Sequence, residues 1–341
     1  MPALASSPCF LRGTRILTAY GEVPVESLAP GTAAVIRSGG LRRVAWVGCR
    51  RLDLRHHPRP AEAWPVRIRR GAIGNGVPTR DLLLSPDHAL LLNGALLPAR
   101  LLVNGATVLP DPSWLRLDYF HVALDGHDVL LAEGAPAESH PDRGSRADFG
   151  DGNVLLLHPR FTDTPPAATD CAPRALRGAA VEEARRALLL RARVLGHALT
   201  REPDLHLLVD GARLNVASIA GAAHRFAIPP GAADIRIVSR AGVPAETEPA
   251  SEDRRRLGVM LGLIGLRIGG KNLELPLDDP TLCEGFHPPE SRGGAMVRWT
   301  DGHARLPPLP AGLARLDLHV TGVQPAWARA APPDAPMHRS A

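Results

Sequence analysis

The run Cys9-Phe10-Leu11-Arg12-Gly13-Thr14-Arg15-Ile16 sets a cysteine directly before a glycine turn and a strand. From Thr14 the alternation of Thr14, Ile16 and Thr18 continues to Tyr20-Gly21, and Val23 and Val25 resume it, which is the period of a half-buried strand. Residues 33–36 and 41–47 flank Ser38-Gly39-Gly40, a second hairpin signal. Asn93-Gly94 lies between leucines 90–92 and 96–97, and Asp125-Gly126 between residues 120–124 and 129–131. Both dipeptides tolerate positive φ and so predict two-residue hairpin turns. The first 140 residues therefore read as mostly β.

Further along, residues 140–178 are rich in Pro, Asp, Gly and Arg, with one short strand candidate at residues 154–157, and read as a linker. A helix is predicted over residues 179–199, where Val181, Ala184, Leu188, Ala192, Leu195 and Leu199 recur at three- and four-residue intervals. Arg185, Arg186, Arg191 and Arg193 lie mainly off that stripe and predict a solvated face on a helix docked to a neighbouring core. Short strands return from Leu205 to Val323, punctuated by Asp210-Gly211, Pro229-Pro230-Gly231 and Asp301-Gly302, as in a β-sandwich. The tail from Gln324, with its prolines, predicts disorder.

Composition narrows the function classes. The chain has 341 residues, enough for two domains, and 40 Lys+Arg against 35 Asp+Glu give a formal charge of +5. Lys271 is the only lysine, so the arginine excess reflects base composition rather than a basic patch, and no nucleic-acid partner is expected. The longest apolar stretch, Leu257 to Leu266, falls well short of the roughly 20 residues a spanning helix needs, so no transmembrane segment is expected. No secretory signal is visible, which leaves localisation open between the cytoplasm and export by another route. The four cysteines, Cys9, Cys49, Cys171 and Cys283, are too widely spaced for a zinc or redox motif.

Three segments carry chemistry when taken together. Cys9 is the first; Ser85-Pro86-Asp87-His88, a hydroxyl and an imidazole in a turn, is the second; residues 121–134, with His121, Asp125, His127 and Asp128, are the third. In order and spacing they resemble the Hint family, the autoprocessing domains of hedgehog proteins and inteins. The likeness is to bacterial Hint domains that open C-F-x-x-G-T-x-I and carry H-D-V-L-L-A-E-G near their end.

The resemblance implies a horseshoe-like β-domain over residues 9–140 and a reaction. Cys9 matches the nucleophile that attacks the preceding carbonyl and turns a peptide bond into a thioester, which needs a base, an oxyanion donor and an acid for the departing nitrogen. His88 matches the histidine that serves the Cys9 amide nitrogen, Ser85 stands where threonine is usual, and His127 matches the later histidine, with His121 and Asp125 in support. Two departures matter. Ala137-Glu138-Ser139 replaces the His-Asn that inteins use to release their C-terminal segment, so splicing is not expected. Only Asp53 lies near the aspartate that activates sterol in hedgehog domains, without a local match, so sterol transfer is not expected either.

The expected layout is thus an all-β protein: a leader over residues 1–8, the Hint domain over 9–140, linker and connecting helix over 141–200, a β-sandwich over 201–323 and a tail over 324–341. Its expected function is cleavage before Cys9 without splicing. The alternative is an inert Hint scaffold whose C-terminal sandwich binds a glycan or a protein, with His287, Glu290 and Trp299 as the candidate face. That reading competes with Trp299 as a core residue and Arg298 with Glu290 as an ordinary ion pair. His88, His121 and His127 form no convincing metal set, because no cysteine or carboxylate cluster completes one, so neither metal nor cofactor is expected.

Overall fold

The computed structural model describes residues 8–141, 154–156, 170–309 and 312–328, the three residues 154–156 by their backbone. The chain divides into two compact units, Met1–Gly196 and His197–Ala341. Both are built almost wholly of antiparallel strands, as the alternation predicts.

In the first unit one continuous hydrogen-bonded path runs through twelve strands. Its middle is the 13-residue strand Leu41–Asp53, paired along its length with Arg116–Leu124, which in turn pairs Phe10–Leu11. The register Phe10↔Phe120↔Cys49 places these three on one face, toward the main core with Leu84, Val47 and Val122. The alternate residues Leu11, Leu117 and Tyr119 fall on the other face, where they form a smaller cluster that includes Cys9. The nucleophile candidate thus sits at the start of an inner strand with its side chain away from the main core.

Turn chemistry holds in several places and fails in one. Asn93 and Gly94 take φ of 50° and 78°, and Ala89–Leu92 pairs Ala95–Pro98 as expected. Asp125-Gly126, by contrast, joins no hairpin. Arg116–Leu124 continues along Leu41–Asp53, while Val129–Ala132 leaves to pair Ala135–Glu138 across a Glu133-Gly134 turn with φ of 49° and 77°. The dipeptide is a corner between strands with different partners, a distinction that local sequence does not encode.

The helix Ala179–Val194 packs Val181, Ala184 and Leu188 into the first unit's core. It stops short of the predicted Leu199 because Gly196 takes a φ of 91°, the left-handed conformation that ends helices. Leu199 instead begins the short strand Leu199–Thr200. The arginine face also needs correcting. Arg186 and Arg193 are exposed, but buried Arg185 donates to the Leu101 carbonyl at 2.8 Å and Arg191 to the Gly71 carbonyl at 2.7 Å. Part of the expected linker is docked as well: Val154–Leu156 pairs Leu41–Asp53, and residues 173–175 bond to both backbone groups of Leu96.

The second unit is a sandwich of two antiparallel sheets. Ala212–Asn215, His206–Val209, Ile235–Val238 and His303–Arg305 make one; the other is led by Val259–Ile268 and Leu313–Val323. Leu207, Ile237 and Ala304 from the first meet Phe226, Ile264, Leu316 and Leu318 from the second in a single core. Order runs past the expected boundary of the tail, since Ala326–Trp327 pairs Leu199–Thr200. Residues 1–7 of the expected leader and 329–341 of the tail lie outside the described residues. No helix among the described residues is long and apolar enough to cross a membrane.

Candidate functional site

One residue on from the Phe10↔Phe120 pairing, Cys9 comes level with His121, and its Sγ lies 3.3 Å from His121 Nε2. Both side chains are buried. Burial pushes the Cys9 thiol up to about 12, against the smaller opposing effects of Ser85 and Arg50. Burial likewise pulls His121 down to about 3, with help from the His140 and Arg50 charges. The pair at rest is therefore a neutral thiol against a neutral imidazole, a donor facing an acceptor.

The backbone of Cys9 is gripped separately. Its N–H donates to Ser85 Oγ at 3.0 Å, and its carbonyl accepts from the Ser85 N–H at 3.0 Å. A turn closed by His88 N–H on the Ser85 carbonyl then brings the His88 ring against Phe10, centroid to centroid 4.4 Å. His88 is wholly buried, and burial lowers its pKa, while Glu138 and the backbone of Cys9 act in the opposite sense. The sequence motif thus assembles Cys9, Ser85 and His88 in one place, and His121 takes the position at the sulfur.

His127 is held elsewhere. In the neutral ring its Nδ1 accepts from the Cys171 N–H at 3.1 Å; in the protonated ring Nδ1–H has the Asp170 carboxylate 3.6 Å away and Nε2–H the Glu138 carboxylate 3.6 Å away. Burial opposes its protonation, but the side chains of Cys171 and Glu138 prevail and raise it to about 9. Asp125 lies 3.6 Å from Arg42 at the surface, and Asp53 caps a short helical turn and pairs Arg55. Neither is joined to Cys9 by a hydrogen bond or ion pair among the described residues.

Several contributors have no motif of their own. His140 meets His121 edge-on at 5.2 Å, and the Trp46 indole lies 5.9 Å from His140 and 6.3 Å from His121. Trp46 can lie there because Gly48, directly opposite His121, has no Cβ: one added there would stand 2.3 Å from the indole. Arg50 follows on the same face, half-buried, and its guanidinium makes no hydrogen bond or ion pair among the described residues. The alternation Trp46, Gly48, Arg50 is visible in the sequence, but the strand that pairs with it is not.

The comparison with known families now bears on this geometry. The sequence matches the family described as the Hint domain over residues 8–143. The chain has an N-terminal Hint domain. The match begins at the residue whose carbonyl precedes Cys9 and takes in Ser85, His88, His121, His127, Glu138 and His140. Helix Ala179–Val194 and the sandwich lie outside it. A search of curated proteins finds no match to the chain.

Beyond the Hint domain, the three residues of the candidate sandwich face are dispersed in role. Trp299 is a core residue, 5% exposed, packed with Leu257, Met260 and Val297, so it offers no aromatic platform to solvent. Glu290 pairs with Arg255 and Arg292, and half-buried His287 has its Nε2 2.8 Å from the Arg256 carbonyl. Arg298 is not the partner of Glu290; it donates to the carbonyls of Leu277, Asp279, Leu282 and His287 and so organises a loop. No group of three His, Cys, Asp or Glu side chains among the described residues is placed to hold a metal.

Proposed function

We propose that the Hint domain performs a single-turnover cleavage at the Pro8-Cys9 bond through an N-to-S acyl shift, without splicing. The observation that carries this reading is the double hold on Cys9: its sulfur 3.3 Å from His121 Nε2 and its amide nitrogen 3.0 Å from Ser85 Oγ. One residue is offered to a base at one atom and fixed at the atom that must leave.

The chemistry follows from those contacts. The Sγ proton passes to the unprotonated nitrogen of His121 as the sulfur bonds to the Pro8 carbonyl carbon, and the carbonyl electron pair moves onto oxygen. On collapse the C–N bond breaks and the Cys9 nitrogen keeps the electron pair. It takes a proton from His88 in its imidazolium form, leaving a thioester on Sγ and a free α-amine. One proton has moved from sulfur to nitrogen overall, and the two rings restore their protonation with solvent. Water or a thiol then attacks the thioester, releasing the Pro8 carboxyl group as acid or as a new thioester and returning the Cys9 thiol. Arg50 assists at the sulfur, whose anion its charge favours, although the same charge opposes protonation of His121.

The test is intact-mass spectrometry of the full chain carrying an N-terminal tag, with and without dithiothreitol or hydroxylamine, beside Cys9→Ala and His121→Ala. Loss of tag plus residues 1–8, faster with thiol and absent in Cys9→Ala, is expected. An unchanged mass after prolonged incubation overturns the reading.

A further inference from the structure

Glu138 is a fully buried carboxylate that the acyl-shift chemistry above does not use. It touches the site through His88 twice. Its main-chain carbonyl lies 3.1 Å from His88 Nε2, and its Oε1 accepts the N–H of Ala89, the next residue, at 2.7 Å. A carbonyl oxygen only accepts, so Nε2 must carry the proton. The bare nitrogen of the neutral ring is then Nδ1, which is buried and makes no hydrogen bond. His88 can therefore act as an acid at Nδ1 only as the imidazolium, and a buried imidazolium needs a counter-charge.

Glu138 is equipped to be that counter-charge. Its Oε2 meets Arg174 and lies 3.6 Å from His127, and Asp170 stands 3.6 Å from each of those two cations. Burial disfavours the carboxylate, but His127, His88 and Arg174 outweigh it and hold its pKa below the ordinary value. The charged groups bearing on His88 are thus Glu138, which favours the imidazolium, and Arg174, which opposes it; His121 lies near enough to feel the ring's charge.

We propose that Glu138 is a positioning residue of the Hint site, fixing His88 in the Nε2–H tautomer and supplying the counter-charge under which Nδ1 carries the proton that the departing Cys9 nitrogen takes. This rests on the proposed acyl shift for its catalytic half only. His127 and Arg174 act one step further out by keeping Glu138 ionised.

The experiment separates the two ideas. In the full-length Cys9→Ala protein, which forms no thioester, nitrogen-15 NMR of the histidine rings reads the tautomer and titration of His88. Glu138→Gln keeps the shape and an acceptor for Ala89 but removes the charge, and should lower the His88 titration midpoint by about one pH unit or more. Arg174→Gln removes an opposing charge while His127 still keeps Glu138 ionised, and should move the midpoint up. With Cys9 restored, Glu138→Gln should slow release of residues 1–8 by roughly tenfold or more. An unmoved His88 midpoint in both variants, or an Nδ1–H tautomer, overturns the proposal, as does normal cleavage by Glu138→Gln. Opposite shifts in the two variants with no cleavage by the parent protein support the Glu138–His88 pairing and sink the acyl-shift reading instead.

Discussion

At the scale of single residues, the four cysteines divide by environment. Cys9 and Cys49 are buried, and Cys171 and Cys283 are exposed. Burial raises both inner thiols, Cys9 as far as about 12, so neither offers a thiolate near neutrality. A thiol-reactive dye at pH 7 should therefore label two sites rapidly on the native chain and four after denaturation, counted by mass. Rapid native labelling at Cys9 would contradict the closed geometry around the sulfur. The same closure explains the pairing with His121: a buried nucleophile that is not ionised at rest needs its base in contact. Arg50→Gln should remove a favourable charge and slow cleavage by roughly tenfold, measured as the rate of mass loss.

At the scale of elements, the site is a product of strand pairing. The alternation in Trp46, Gly48 and Arg50 matches that in Tyr119 and His121 because the two strands run antiparallel in a fixed register. Gly48→Ala should drive the Trp46 ring off its place beside His121 and His140, destabilising the first unit by about 1–3 kcal/mol and slowing cleavage. Urea unfolding and cleavage rates measured together would check both effects. This element also marks where the sequence was legible. Cys9, Ser85 and His88 are legible through the resemblance to Hint domains, whose motifs are short runs that can be matched residue by residue. His121 was visible only as a supporting candidate, because its contact spans 112 positions and depends on which strands pair. His140, Trp46, Arg50 and Glu138 carried no local signature. The misread Asp125-Gly126 hairpin has the same origin: its residues suit a turn, and the partners on either side were set elsewhere.

At the scale of the whole molecule, the ion pairs around Glu138 link pH to the stability of the first unit. His127 has a folded value near 9 against an ordinary 6.5, so its contribution is full below 6.5 and is lost as pH rises toward 9. Glu138 has a lowered value, so its contribution is full above the ordinary 4.5 and is lost as pH falls below it. The first unit should be most stable between those limits, and raising the pH from 6.5 to 9.5 should lower its melting temperature by roughly 5 °C. His127→Gln should flatten that alkaline decline in calorimetry, and an unchanged slope would remove His127 as its cause. All-β architecture was readable from alternation and turns throughout the chain. The extent of each unit was less so, because whether a proline-rich segment docks depends on open hydrogen-bonding positions such as the backbone of Leu96, far off in sequence.

The pairing of Leu199–Thr200 with Ala326–Trp327 has a consequence of its own. It closes the described part of the second unit like a drawstring, so that its first and last described strands lie side by side. A body with adjacent ends is a portable cassette: it can be transplanted into a surface loop of an unrelated host, or have its ends joined and reopened elsewhere, without unpicking its sheets.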